Sequence, residues 1–333
     1  MPQQRTALVF GSGGARGWAH AGVLLACREL GFNPDIVVGT SIGAVAAAVC
    51  ATDSLDAALD LAATMDWRRA ASLFVEFGFP RSGLIEGRRI MELLQEILPD
   101  GSIADLPIPF AAVATDLMTQ EEVVLSSGSL HAAIRASIAI PGVFTPAAGR
   151  EGWLVDGGLV NPLPISVARS LGADHIVAVD INLLENPDCE NDLPTCNYAR
   201  RPAAVSENRS SLERLAADAG KRAADKLLRN LMENVLGLGG HHEADQPPAL
   251  LEVLVRSLRT GENSITRERL LREPPDLLLQ PAVGHIGTLD FHRADFAIRS
   301  GYAATMQHAS YLREVGGGGG IRTPGTSQPS PTV

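Results

Sequence analysis

Apolar positions along this chain follow two rhythms. Short, nearly unbroken apolar runs suit strands covered on both faces, and positions returning every three or four residues suit amphipathic helices. The first rhythm predicts strands at residues 6–10, 35–38, 110–115, 121–125, 152–155, 175–181 and 277–280. The second predicts helices at 18–30, 44–51, 55–65, 87–98, 130–137, 165–171, 211–236, 249–258 and 293–312. Alternation of this kind predicts an α/β fold, a mostly parallel sheet covered by helices. Residues 182–208, with several prolines and asparagines, read as a surface excursion, and the tail from residue 316 is too polar and glycine-rich to offset its ordering entropy.

Composition narrows the function classes. The 333 residues are 45% hydrophobic, 20% charged and 5% aromatic, which fits a globular chain with a large core. A net charge of −10, from 38 acidic and 28 basic residues, excludes the basic footprint of a nucleic-acid partner. No apolar stretch reaches the roughly 18–20 residues that span a bilayer, and the first strand begins too early to leave room for a secretory leader, so cytoplasmic residence is the default expectation. Cys27, Cys50, Cys189 and Cys196 form no C-x-x-C pair and suggest reduced, buried thiols. No metal-ligand constellation is visible, so neither a metal, calcium included, nor another cofactor is expected.

Three glycine-rich segments carry candidate chemistry. Gly39-Thr40-Ser41-Ile42-Gly43 follows an apolar strand and precedes an alanine-rich helix. On so sharp a turn the residues two before and two after the serine would clash if they had Cβ atoms, so Gly39 and Gly43 read as a nucleophile elbow presenting Ser41 at a helix N-terminus. The alternative is an ordinary strand-to-helix turn. Asp156 ends a second apolar run and is followed by Gly157 and Gly158, which places an acid at a strand's carboxyl end; an Asx-type turn is the competing reading. The loop Gly11-Ser12-Gly13-Gly14-Ala15-Arg16-Gly17 aims backbone amides at one spot and suits an anion, either an oxyanion or a phosphate. Asp35 stands near where a nucleotide fold puts its ribose acid, which keeps a phosphate-binding module open. Of His20, His131, His175, His241, His242, His285, His292 and His308, none sits in a motif that makes it a general base; His20 reads as helix packing.

SGGARG, GTSIG and DGG stand in that order, and with ASIAIPGVFTP (136–146) they resemble the patatin-like phospholipase family over about residues 5–315. The resemblance implies a three-layer α/β/α fold and a lipid acyl hydrolase working through a Ser-Asp dyad without histidine. Ser41 matches the nucleophile, Asp156 the proton acceptor, and Gly13, Gly14, Arg16 and Gly17 the oxyanion loop. Ser12 stands where the family's loop usually begins with glycine, which leaves a backbone N–H in place. The implied layout is a catalytic region at 6–169, helices and strands at 170–315 completing the same domain, and a flexible tail at 316–333. Besides the lipid or acyl-ester substrate, a transient membrane-surface contact is expected, for which the stripe Leu212, Leu215, Ala219, Ala223, Leu227, Leu231 and Val235 is the candidate; a core-facing helix is its alternative. A catalytically silent regulatory relative also remains open.

Overall fold

The computed structural model describes residues 4–74, 85–150, 152–182 and 250–316. Parallel strands β1 (Thr6–Phe10), β2 (Ile36–Thr40) and β3 (Phe110–Asp116) form its centre, joined by β7 (His175–Val179) and β8 (Leu277–Leu279) on the other side of β1. Every residue of β1 and β2 is buried, which is why their sequences run apolar without alternating. The period of two survives in what each side chain touches. Leu8 and Phe10 belong to one core cluster, and Ala7 and Val9 to another across the sheet.

The first cluster is closed by α1 (Trp18–Leu30), α2 (Ile42–Ala51), α3 (Leu55–Ala63), α5 (Arg88–Ile97) and α6 (Leu130–Ser137), with α9 (Ala294–Met306) packed along α1. The second is closed by α7 (Ile165–Ser170) and by Leu270 near the end of α8 (Leu250–Arg272). Helices therefore lie on both faces of a mostly parallel sheet. Short helix α4 (Trp67–Ser72) is absent from the sequence expectation; Asp66 caps it by accepting the Arg69 N–H at 2.8 Å.

An antiparallel flank extends β3. Strand β4 (Glu122–Leu125) pairs with Ala112–Thr115, whereas β2 pairs with Phe110–Val113 and β6 (Trp153–Asp156) with Ala114–Asp116. Because β4 overlaps both of the others in register, it takes one edge of β3 and leaves β2 and β6 to share the opposite edge. They approach from opposite directions, and the end of each faces the end of the other where Val113 meets Ala114. The two-residue β5 (Ala147–Ala148) completes the flank.

The structure corrects several boundaries. Residues Gly14–Gly17 form a 3-10 turn inside the expected loop. The helix expected to end at residue 258 runs to Arg272, and the one expected at 293–312 is two, α9 and α10 (Ala309–Gly316). The expected surface excursion beyond residue 182, the helix at 211–236 with its stripe, and the tail beyond residue 316 lie outside the described residues.

Candidate active site

At the end of β2 the chain reverses through Ser41, whose φ of 57° and ψ of −125° no unstrained non-glycine residue adopts readily. The two glycines answer different neighbours. A Cβ on Gly39 would lie 2.0 Å from the Gly43 carbonyl oxygen, across the elbow, whereas one on Gly43 would lie 2.2 Å from the Phe10 carbonyl oxygen at the end of β1. The strained conformer is held by Ser137, whose Oγ accepts the Ser41 N–H at 2.8 Å and donates to the Val113 carbonyl at 2.6 Å. Ser41 heads α2 without capping it. Its hydroxyl instead donates to Asp156 Oδ2 at 2.5 Å.

Asp156 reaches Ser41 because β2 and β6 meet end to end on β3. Its N–H donates to the Ala139 carbonyl at 3.0 Å and its carbonyl accepts from Thr115 Oγ1 at 2.9 Å, so the backbone is fixed on both sides. Oδ1 accepts the Gly158 N–H at 2.8 Å. This is also the Asx-type contact the sequence offered as an alternative, and it leaves Oδ2 for the serine. Burial, reinforced by the nearby Glu262 charge, pushes the carboxyl up to about 7 against the opposing pull of the Ser41 and Gly158 hydrogen bonds. Gly157 backs onto the Val113 carbonyl.

In the loop after β1, Gly11, Ser12 and Ala15 donate their N–H groups to the carbonyls of Val179, Pro162 and Thr288. Gly13 and Gly14 line a small cavity of about 30 Å³ together with Ser41 and Asp156, and their amides have no protein acceptor among the described residues. Arg16 is only 1% exposed, which excludes a merely solvated role. Its Nε donates to the Gly13 carbonyl at 2.9 Å and its Nη2 to Thr288 Oγ1 at 3.2 Å, so it braces the loop from within. Burial, helped by the Arg259 charge, lowers it to about 9. Gly17 abuts Ile42 at the start of α2.

On the other side of Ser41 opens an apolar cavity of about 120 Å³, walled by Val45 and Val49 of α2 and by Trp18, Leu24, Leu61 and Phe74. Ser41, Val45 and Val49 recur every four residues along one face of α2, so this wall is about 12 Å long at 1.5 Å rise per residue. Ser41 therefore lines both a greasy slot and a small recess of mixed lining that holds Asp156, Glu262, Arg16 and Arg259.

Other candidates fall elsewhere. His20 is wholly buried; its Nε2 lies 2.9 Å from the Gly11 carbonyl and its ring stands edge-on to Phe10, and burial lowers it to about 4. Among the described residues no histidine lines either cavity. Asp35 accepts the Thr6 N–H at 2.9 Å at the start of the parallel strands, the wrong end for a ribose contact beside this loop. Cys27 and Cys50 are free thiols, both raised by burial, Cys50 to about 12. His241, His242, Cys189 and Cys196 lie outside the described residues.

Residues the sequence did not single out complete the surroundings. Ser137 lies within ASIAIPGVFTP but carries no sign of its own. Arg259 and Glu262, which line the recess, fall beyond the expected end of their helix, and Thr288 lies in a connecting segment.

Comparison with known proteins bears on the family of the chain. The family described as patatin-like phospholipase matches residues 8–169. An uncharacterized NTE family protein of Mycobacterium tuberculosis is 34% identical over 327 residues, 91% of each chain. Patatin-like phospholipase domain-containing protein 7 of Rattus norvegicus is 34% identical over 190 residues, 56% of this chain and 14% of that protein. Neuropathy target esterase sws of Drosophila melanogaster is 34% identical over 191 residues, 55% and 13% respectively. Among solved structures, VipD from Legionella pneumophila aligns with a TM-score of 0.43 and 14% identity over 93% of this chain and 67% of that one. An identity of 34% sustained over nine-tenths of both chains, together with the profile match across the segment holding Ser41 and Asp156, means that the chain belongs to the patatin-like phospholipase family.

Proposed function

We propose that this protein is a lipid acyl hydrolase, a serine esterase or phospholipase that cleaves carboxylic esters of fatty acids through a Ser41-Asp156 dyad. The observation that carries the reading is the 2.5 Å hydrogen bond from Ser41 Oγ to a buried carboxylate at the mouth of an apolar slot. As Oγ attacks the ester carbonyl, its proton passes to Asp156 Oδ2, and the oxyanion that forms faces the Gly13 and Gly14 amides. Collapse of this intermediate returns the proton to the departing alcohol and leaves the acyl group on Ser41. Water, giving its proton to Asp156, then attacks the acyl-enzyme; the fatty acid leaves and Ser41 regains its proton.

The environment supports these roles. An ordinary carboxylate is a weak base toward a hydroxyl, and a value raised to about 7 makes Asp156 a better one at neutral pH. The apolar slot suits an acyl chain, and the recess beside Arg16 and Arg259 suits the oxygen-rich side of the ester. Fluorophosphonate labelling tests the reading. Ser41 should be the modified residue, and Ser41→Ala should abolish both labelling and hydrolysis of p-nitrophenyl esters while keeping the wild-type circular dichroism. Labelling elsewhere, or turnover surviving in Ser41→Ala, refutes it.

On this reading the enzyme is cytoplasmic and meets its substrate by transient contact with a membrane surface. No helix among the described residues is long and apolar enough to cross a membrane. Leu250, Val253 and Leu254 are exposed at the start of α8, whose Val255 and Leu258 line the recess. Co-sedimentation of the full chain with phosphatidylglycerol-containing vesicles should weaken on Leu250→Asp; equal binding by the variant argues against docking there.

A further inference from the structure

The second half of α8 places a carboxylate beside the dyad. Glu262 Oε2 accepts from Ser12 Oγ at 2.9 Å, and Asn182 Nδ2 lies 3.4 Å from the same oxygen while donating to the Ser12 carbonyl at 3.0 Å. A serine thus occupies the first position of SGGARG, and its hydroxyl ties the loop to a helix some 250 residues further along the chain. The other oxygen, Oε1, lies beside Gly158. A Cβ on Gly158 would lie 2.6 Å from Glu262 Oε1 and 3.1 Å from Asp156 Oδ1. Two carboxylates therefore flank the one spot that the second glycine of Asp-Gly-Gly keeps open.

Burying two like charges so close together is costly unless each has partners. Asp156 has the Ser41 hydroxyl and the Gly158 amide. Glu262 faces Ser12 and Arg16 from the loop after β1, Asn182 from the end of β7, and Arg259 from its own helix. Asp180, Asp290 and Arg256 act at longer range on the two arginines. Burial raises the Glu262 carboxyl above its ordinary range, against the opposing pull of the Ser12 hydrogen bond and of the Arg16 and Arg259 charges, which favour its ionised form.

We propose that Glu262 is a positioning residue of this active site, which anchors the Gly13-Gly14 loop through Ser12 and, by the repulsion of its charge on Asp156, keeps that carboxylate a strong enough base at neutral pH. It stands outside the segment matched by the family profile, residues 8–169, and does not touch the reacting atoms. The proposal rests on the ester-hydrolase reading. It adds that the serine hydroxyl in this loop and the acid on α8 act as one unit.

The two functions of Glu262 separate in a pH profile. Removing its charge lets Asp156 ionise at lower pH, so in Glu262→Gln the acid limb of kcat/KM on p-nitrophenyl butyrate should move down by roughly one pH unit. The plateau should fall about tenfold because the base is weaker and the loop looser. Glu262→Asp keeps the charge and should hold the midpoint near the wild-type position while losing part of the plateau. Ser12→Ala removes a bond that keeps Glu262 ionised, so it should move the midpoint the same way by less, and it provides the test should Glu262→Gln fail to fold. A uniform loss of rate in Glu262→Gln at an unchanged midpoint would reduce the residue to a structural prop and overturn the proposal. A wild-type profile in a folded Glu262→Gln or Ser12→Ala would overturn it too. Fluorophosphonate labelling of wild-type Ser41 reports separately on the ester-hydrolase reading, so success there with failure here removes only Glu262 from the account.

Discussion

Lowering the pH should weaken catalysis and strengthen the fold through the same carboxyl group. On the proposed mechanism Asp156 must be ionised to take the Ser41 proton, and burial holds it up at about 7. At pH 5, about two units lower, roughly 1% of molecules carry the base, so kcat/KM should stand about 100-fold below its plateau. The effect on stability has the opposite sign. The ordinary value of this group is 3.8, so between pH 3.8 and about 7 the folded chain binds a proton that the unfolded chain has released. The resulting stabilisation is fully present below the unfolded value and is lost as pH rises through the folded one. Roughly three units at about 1.4 kcal/mol each put the loss near 4 kcal/mol, shared in part with Glu262. Asp156→Asn isolates it. The variant keeps an oxygen for the Gly158 amide and turns its NH₂ toward Ser41, so it fills the same space with no buried charge and no base. Initial rates on p-nitrophenyl butyrate from about pH 5 to 9, with thermal denaturation of both proteins at each pH, make the test. The variant should be inactive throughout, more stable than wild type at pH 8, and should lose that advantage toward pH 5. A wild-type acid limb centred near pH 4, or a stability difference that ignores pH, would refute the reasoning.

Other substitutions test the surrounding geometry. Val49→Trp fills the far end of the apolar slot, so hydrolysis of long-chain p-nitrophenyl esters should fall at least about tenfold relative to butyrate, measured as a ratio of kcat/KM values. Ser137→Ala leaves the Ser41 N–H and the Val113 carbonyl without their partner in a fully buried site. It should cost about 1–3 kcal/mol in denaturant unfolding and slow turnover along with it. Gly43→Ala drives a methyl to 2.2 Å from the Phe10 carbonyl and should abolish soluble folded protein or cost more than about 3 kcal/mol. Gly31→Ala meets nothing within 4 Å and strains only a left-handed φ of 70°, so its cost should stay near 1 kcal/mol by the same denaturation assay.

The parts legible in the sequence were those whose local chemistry had one physical solution. TALVF had to be a strand buried on both faces, and a glycine on each side of Ser41 left little besides a tight elbow. The second half of α8 was different. Its residues RTGENSITRERLLR carry no apolar rhythm, and Gly261 interrupts them as a helix end would. They continue the helix because much of their polarity is satisfied inside the protein or along the helix itself. Arg259 donates to the Gly284 carbonyl, Glu262 receives Ser12, the Ser264 hydroxyl bonds back to Thr260, and Arg272 pairs with Glu268. A reading that sends polar residues to solvent closes such a helix early, and in this chain that omission hid Glu262 and Arg259.

Register was the other illegible quantity, and the site depends on it. The motifs announce a serine at the end of one strand and an aspartate at the end of another, yet nothing local says that both strands end at the same point on β3. On the edge of β3 that they share, β2 runs parallel to β3 and β6 antiparallel to it, so the two run toward each other. Each then terminates where the other does, with carboxyl ends face to face. Here that junction falls between Val113 and Ala114, the partners of Thr40 and Asp156. A slip of one residue in β6 would turn the Asp156 side chain to the other face of the sheet. The Thr115 hydroxyl on the Asp156 carbonyl and the Ala139 carbonyl on the Asp156 N–H lock the strand against that slip. The short contact between Ser41 and Asp156 is therefore a property of how the antiparallel flank is pinned as much as of either residue, which is why buried Thr115 and Ser137, neither of them a participant in the chemistry, stand so close to it.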